Sequence, residues 1–217
     1  MYHYILFDLD GTLTDPKLGI TRCVQYALRK FGIEEPDQNK LEPFIGPPLL
    51  DSFQEFYGFD EEKGWQAVAY YRERFSTKGL FENEVYPGIA PMLAKLQEAG
   101  CHLAVASSKP EVFVKEILEH FKLLSYFEVV VGSELDGNRV RKEDVVEEAL
   151  RQMQRLPQHV EDVVMVGDRK FDIQGAKRFG IASIGVSYGY GAQGELEGAG
   201  ADKIVGNVEE LEKVLLQ

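Results

Sequence analysis

Tyr4-Ile5-Leu6-Phe7-Asp8-Leu9-Asp10-Gly11-Thr12-Leu13-Thr14 is the stretch on which the reading of this chain turns. Its apolar start reads as a buried strand. Asp8 and Asp10 follow two residues apart, and residues at i and i+2 of a strand point to the same side. The run therefore ends by placing two carboxylates together at the C-terminal edge of a sheet. Ionised carboxylates are costly to bury unless paired or bound to a metal. The plainer alternative is a strand that closes on an Asp-Gly turn.

The rest of the chain alternates in character. Residues 15–86 read as helices only. Apolar residues at Ile20, Val24, Ala27, Leu28 and Phe31 have helical spacing, Pro47-Pro48 can open a helix over Leu49–Tyr57, and Trp65–Phe75 continues the pattern except where Arg72 interrupts it. From residue 87 the pattern predicts helix Ile89–Ala99 ended by Gly100, strand His102–Ala106, helix Glu111–Phe121, strand Phe127–Val131 and helix Glu143–Met153. Strand Val163–Val166, helix Phe171–Phe179 ended by Gly180, strands Ile181–Val186 and Lys203–Val205, and helix Val208–Leu216 follow. Strands alternating with helices imply an α/β fold with a doubly wound parallel sheet covered on both faces. Its ligand site would lie beyond the carboxyl ends of the strands. The expected organisation is a core of residues 1–14 and 87–217 with an all-helical insertion at 15–86.

Composition bounds the function. The 217 residues are 44% hydrophobic and 28% charged, with a formal charge of −12, which argues against a nucleic-acid polymer as partner. An anionic ligand would need local positive charge from a metal or a few placed lysines. No apolar run reaches the roughly 18 residues that span a bilayer, so no membrane partner is expected. The start, Met1-Tyr2-His3-Tyr4, lacks the basic region of a secretory signal. Cys23 and Cys101 are too far apart in sequence to suggest a disulfide framework or zinc spacing. A cytoplasmic monomer or homodimer is the expectation.

Other strand ends carry chemistry. Ser107-Ser108-Lys109-Pro110 follows one strand; its hydroxyls and the next helix start can donate to a phosphate, or simply cap that helix. Gly167-Asp168-Arg169-Lys170-Phe171-Asp172 follows another, placing two more carboxylates four residues apart, where a capping Asp and a first-turn Asp are the bland reading. Lys142 sits at a helix start, where the helix dipole disfavours a cation and hints at something anionic nearby.

Taken in order, Asp8-Leu9-Asp10-Gly11-Thr12, Ser107, Lys142 and Gly167-Asp168-x-x-x-Asp172 resemble the four motifs of the haloacid dehalogenase-like phosphohydrolases over the whole chain. The block at 15–86 looks like the helical cap of the phosphoglycolate phosphatase and 5′-nucleotidase-like branch, whose core is Rossmann-like. Two departures stand out: Ser107-Ser108-Lys109 where many relatives have Thr-Asn-Lys, and Arg141-Lys142 where many have Lys-Pro, so that Arg139, Arg141 and Lys142 compete for the third motif.

The resemblance implies a Mg2+-dependent phosphatase for a small phosphate monoester such as phosphoglycolate, a nucleotide or a sugar phosphate. It implies Asp8 as nucleophile, forming an aspartyl-phosphate, and Asp10 as general acid/base. Mg2+ would be held by Asp8, Asp168, the Asp10 carbonyl and, directly or through water, Asp172. Ser107, Ser108 and Lys142 would hold the phosphoryl oxygens. Thr14-Asp15 and Tyr86-Pro87-Gly88 would be hinges, and Gly46-Pro47-Pro48 a specificity loop or an ordinary helix-to-helix turn. A phosphomutase shares these core residues. A phosphonate hydrolase would need a Schiff-base lysine among Lys17, Lys30, Lys40, Lys63 and Lys78. A dehalogenase has no use for Asp10, and a non-catalytic binding protein no use for the whole set.

Overall fold

The computed structural model describes residues 2–155 and 160–217. In chain order its helices and strands are β1 (Tyr4–Phe7), β2 (Thr14–Asp15), α1 (Lys17–Arg29), α2 (Leu49–Tyr57), α3 (Glu61–Phe75), β3 (Glu84–Val85), α4 (Ile89–Glu98), β4 (His102–Pro110) and α5 (Glu111–His120). They continue with β5 (Val129–Ser133), α6 (Lys142–Gln152), β6 (Val163–Gly167), α7 (Lys170–Arg178), β7 (Ala182–Val186), α8 (Glu195–Ala199), β8 (Lys203–Val205) and α9 (Val208–Leu215). Two compact units result. One takes the chain through Asp15 and again from Val85 to Gln217; the other is Pro16–Glu84.

The first unit is built on a six-stranded parallel sheet in the order β5-β4-β1-β6-β7-β8. β1 lies at its centre, with Phe7 beside Val105 of β4 on one side and Val166 of β6 on the other. Ile5, Leu6 and Phe7 are fully buried. Leu6 packs with Ala104, Val131 and Met165 against Val145, Val146 and Ala149 of α6 and Ala176 of α7. Successive strand side chains alternate faces, so burial of Ile5 and Phe7 as well means that both faces of the sheet are covered. This explains the continuous apolar run of β1. The strand order reverses between β1 and β6, and in open α/β sheets that reversal opens the crevice in which ligands bind.

The second unit holds α1, α2 and α3 with two 3-10 segments, Gln38–Phe44 and Gly79–Phe81. Phe44, Phe53, Phe59 and Phe31 form a chain of ring contacts through its interior, with centroids 5.0–6.0 Å apart. Gly19 of α1 donates its N–H to the Glu82 carbonyl at 2.9 Å, and a side chain there would collide with the Gly79 carbonyl oxygen.

Several boundaries differ from the sequence reading. The 15–86 segment is not helix alone: it includes the 3-10 segments and touches two-residue strands at both ends. α3 starts at Glu61, not Trp65, because the Asp60 carboxylate accepts the Lys63 N–H at 2.8 Å and caps the helix. β4 runs on to Pro110, with its pairing to β5 shifting register between Ala106 and Pro110. β5 begins at Val129, after a 3-10 turn at Leu124–Tyr126. α8, with the sequence Glu195-Leu196-Glu197-Gly198-Ala199, has no apolar periodicity that would predict it.

The close approach at Gly19 gives a test of the second unit. Gly19→Ala is expected to destabilise the protein by about 1–3 kcal/mol through forced backbone movement. Gly198→Ala, inside α8 with open space around it, should not destabilise and should gain up to about 1 kcal/mol from the better helix propensity of alanine. Urea denaturation of the two variants beside the parent checks both values.

Candidate active site

The C-terminal ends of β1 and β6 bring four carboxylates into the first unit's interior. Asp8, Asp10, Asp168 and Asp172 are all buried, the last two completely. Asp8 continues β1, and its backbone N–H is held by the Val166 carbonyl at 2.9 Å. Asp168 follows β6 directly, and Asp172 lies in the first turn of α7, where the helix dipole favours an anion. Asp172 Oδ2 also accepts the Arg169 N–H at 3.0 Å.

Two lysines enter this acid cluster from different elements. Lys142, the first residue of α6, has its Nζ 2.9 Å from Asp8 Oδ1 and 2.8 Å from Asp172 Oδ1, and donates to the Ala106 carbonyl at 3.0 Å. The ammonium is thus ion-paired with two carboxylates and hydrogen-bonded to one carbonyl. Lys109, near the end of β4, sits 2.7 Å from each oxygen of Asp10. Asp8 Oδ1 also accepts the Leu9 N–H at 2.7 Å, and Asp8 Oδ2 takes no hydrogen bond among the described residues.

Burial sets the electrostatics. It raises the pKa of Asp10 in spite of the Lys109 ammonium. It raises that of Asp168 strongly, with the like charges of Asp172 and Asp8 acting the same way. Asp172 is also raised by burial, against the pull of Lys142. Burial disfavours the Lys142 ammonium, but the carboxylates of Asp172 and Asp8 outweigh it and push its pKa above the ordinary lysine value.

Crowding of this kind needs glycines. Gly11 has φ +79°, a conformation that suits glycine, and any side chain there would overlap the Asp168 carboxylate. A side chain at Gly167 would overlap Asp172 in the same way. The loop after β7 completes the enclosure: the Tyr190 N–H donates to Asp168 Oδ2 at 2.7 Å, the Tyr188 hydroxyl donates to the Thr12 carbonyl at 2.9 Å, and the Tyr190 hydroxyl bonds Asp15 Oδ1.

The remaining sequence candidates are placed as follows. Ser107 is buried, with Oγ accepting the Lys109 N–H at 3.4 Å, while Ser108 is partly exposed. Of the three basic residues near the third motif, Lys142 alone lies in the acid cluster. Arg141 is 76% exposed, and Arg139 pairs with Glu134 and Glu111. Gly46 (φ +106°), Pro47 and Pro48 precede α2 in the second unit. Sequence reasoning gave no role to Lys109 or to the Tyr188–Tyr190 loop. Lys109 could have been found from its i+2 spacing to Ser107 at a strand end. Tyr190 touches Asp168 through a backbone N–H, which no side-chain pattern reveals.

The donor set fits a hard divalent cation. One oxygen from each of Asp8, Asp168 and Asp172 lies within 4.8 Å of the others, and the buried Asp168 Oδ1 has no hydrogen-bond partner among the described residues. Carboxylate oxygens with no sulfur or imidazole nearby suit Mg2+. Among the described residues, no helix is long and apolar enough to cross a membrane.

Comparison with known proteins agrees with this geometry. Residues 5–186 match the family described as haloacid dehalogenase-like hydrolase. A Pseudomonas aeruginosa protein named 5′-nucleotidase is 52% identical over 195 residues, covering 90% of this chain and 87% of that one. The tyrosine-protein kinase PtkA of Mycobacterium tuberculosis is 41% identical over 187 residues, covering 86% of this chain but 62% of its own length. The crystal structure of a predicted phosphatase from Clostridium acetobutylicum has a TM-score of 0.95 at 51% identity, covering 100% of this chain and 99% of that one.

If the three carboxylates take a cation, Mg2+ at about 100 times its Kd should stabilise the folded protein by about 2.7 kcal/mol. Asp168→Asn should lose most of that gain and still fold. Thermal unfolding followed by circular dichroism, with and without Mg2+, measures both; an undiminished Mg2+ effect in the variant would place the ion elsewhere.

Proposed function

The chain belongs to the haloacid dehalogenase-like hydrolase family, and from that premise we propose that it is a Mg2+-dependent phosphatase that cleaves a small phosphate monoester through an aspartyl-phosphate on Asp8. The observation that carries the reading is the placement of Asp8. Its carboxylate is buried among Lys142, Asp168 and Asp172, with Oδ1 held by Lys142 and Leu9 N–H. That leaves Oδ2 as the atom to attack phosphorus. Asp8, Asp168 and Asp172 are the side chains that would hold Mg2+, with the Asp10 carbonyl as a further oxygen. When bound, Mg2+ would screen the repulsion between a carboxylate nucleophile and a phosphoryl dianion.

The roles then follow from position. Asp8 Oδ2 forms a bond to phosphorus as the ester P–O bond breaks, and the Asp10 carboxyl gives its proton to the departing oxygen. Asp10, now a carboxylate, takes a proton from water as the water oxygen attacks the aspartyl-phosphate and the Asp8–phosphorus bond breaks. Lys142 orients Asp8, and with Ser107, Ser108 and nearby backbone N–H groups would stabilise charge spreading over the phosphoryl oxygens. The Pro16–Glu84 unit is read as the cap that selects the substrate, with Gly46 and Pro47 as candidates for that choice and the flanking segments Thr14-Asp15 and Tyr86–Gly88 as hinges.

The substrate class is a small phosphate ester: a nucleoside monophosphate, phosphoglycolate or a sugar phosphate. The relative named 5′-nucleotidase puts nucleotides first for testing. The charge of −12 supports a small ligand over a nucleic-acid polymer. Two buried cysteine thiols support a reducing, cytoplasmic setting. The phosphomutase alternative keeps every core residue and would show as transfer of the phosphoryl group to a second sugar hydroxyl in place of water. A phosphonate hydrolase is disfavoured because none of Lys17, Lys30, Lys40, Lys63 and Lys78 is buried.

Steady-state kinetics on a panel of these esters tests the reading. Asp8→Asn should abolish Mg2+-dependent release of phosphate. Lys142→Ala should lower kcat/KM by roughly 10²-fold or more, while Arg139→Ala and Arg141→Ala stay near the parent. Substantial turnover by Asp8→Asn, with deamidation excluded by mass spectrometry, would rule out the covalent route.

A further inference from the structure

We propose that Lys109 is a positioning residue that clamps the Asp10 carboxyl in the orientation from which it exchanges protons with the leaving oxygen and with water. The inference rests on the acid/base reading of Asp10 above and adds a residue to it. Lys109 Nζ lies 2.7 Å from both Asp10 oxygens, and the two side chains are 7% and 9% exposed. A single ammonium touching both oxygens restricts rotation of the carboxyl. That matters because proton transfer needs heavy atoms about 2.6–3.2 Å apart at the moment of reaction.

The clamp is itself held. Lys109 lies where the β4–β5 register shifts, between Ala106 and Pro110, and irregularities of this kind re-aim side chains at a strand end. Its carbonyl oxygen packs against Gly132 of β5 so closely that a Cβ on Gly132 would lie 2.5 Å from it. The parallel pairing of β4 with β1 then brings Lys109 to the turn that carries Asp10. Lys142 is committed to Asp8, Asp172 and the Ala106 carbonyl. The two ammonium groups therefore divide the work: Lys142 holds the nucleophile, and Lys109 holds the acid/base. The proton that moves in this reading belongs to Asp10.

The test uses the Mg2+-loaded protein with 4-nitrophenyl phosphate and a simple alkyl phosphate. Lys109→Met should lower kcat by about 10- to 10²-fold and move KM by less than about threefold. The loss in kcat/KM should be greater for the alkyl ester, whose leaving oxygen needs a proton, than for the nitrophenyl ester, whose leaving group does not. Lys109→Cys treated with 2-bromoethylamine regains an ammonium at nearly the same reach and should recover most of the loss, with identically treated parent protein as control. In an Asp10→Asn background, Lys109→Met should cost less than about threefold more, because the residue acts through Asp10. If Lys109→Met does not fold, Lys109→Gln serves the same comparison. A raised KM with kcat unchanged would make Lys109 a substrate ligand and overturn the clamp, as would full additivity with Asp10→Asn. A fully active Lys109→Met beside a crippled Asp10→Asn overturns the clamp alone. A fully active Asp10→Asn sinks the acid/base reading and the clamp with it.

Discussion

Four carboxylates buried at the ends of two neighbouring strands repel one another in a medium that screens them poorly. The architecture of the first unit answers that repulsion. Asp8 and Asp10 follow β1, Asp168 follows β6, and Asp172 lies at the start of α7. These strands are adjacent only because the sheet order reverses there. Lys142 and Lys109 are drawn in as counter-charges, and neither is part of the two strands it serves. Lys142 begins α6, where the helix dipole disfavours a cation. Contacts under 3 Å to Asp8 and Asp172 outweigh that cost and account for its burial.

Packing is organised around the same cluster. Gly11 and Gly167 stand where any side chain would strike Asp168 or Asp172. The loop after β7 supplies a backbone donor from Tyr190 to Asp168, yet among the described residues Asp168 Oδ1 has no hydrogen-bond partner. A buried carboxylate oxygen without a donor costs free energy in the protein alone. A divalent cation at that oxygen is the compensation expected of such a site, and the all-oxygen donor set points to Mg2+.

The names carried by relatives differ: a 5′-nucleotidase, a tyrosine-protein kinase and phosphatases all resemble this chain. What those names share is chemistry at a phosphoryl group. The carboxylate-and-lysine cluster speaks to that shared chemistry. Choice of substrate depends on groups that touch the rest of the molecule, and the inserted unit, with its aromatic interior and Gly46-Pro47-Pro48 segment, is the part of the chain not needed for the cluster.

Much of this was legible in order along the chain. Parallel α/β architecture followed from apolar runs alternating with helical periodicity, because a strand buried on both faces must be apolar throughout. The motif residues Asp8, Asp10, Ser107, Lys142, Asp168 and Asp172 could be named because strand ends and helix starts are local features with local spacing rules. Tertiary structure alone decided which strands are neighbours, and so that β1 and β6 pool their carboxylates. It brought Lys142 to Asp8 and left Arg139 and Arg141 outside the acid cluster, a placement that the path of α6 over the sheet decides. It joined Lys109 to Asp10 across 99 residues of sequence and the Tyr190 amide to Asp168 across 22. Spacing reports neighbours along one strand or one helix turn. Contacts between elements depend on sheet order, register and backbone groups, which carry no residue-type signature.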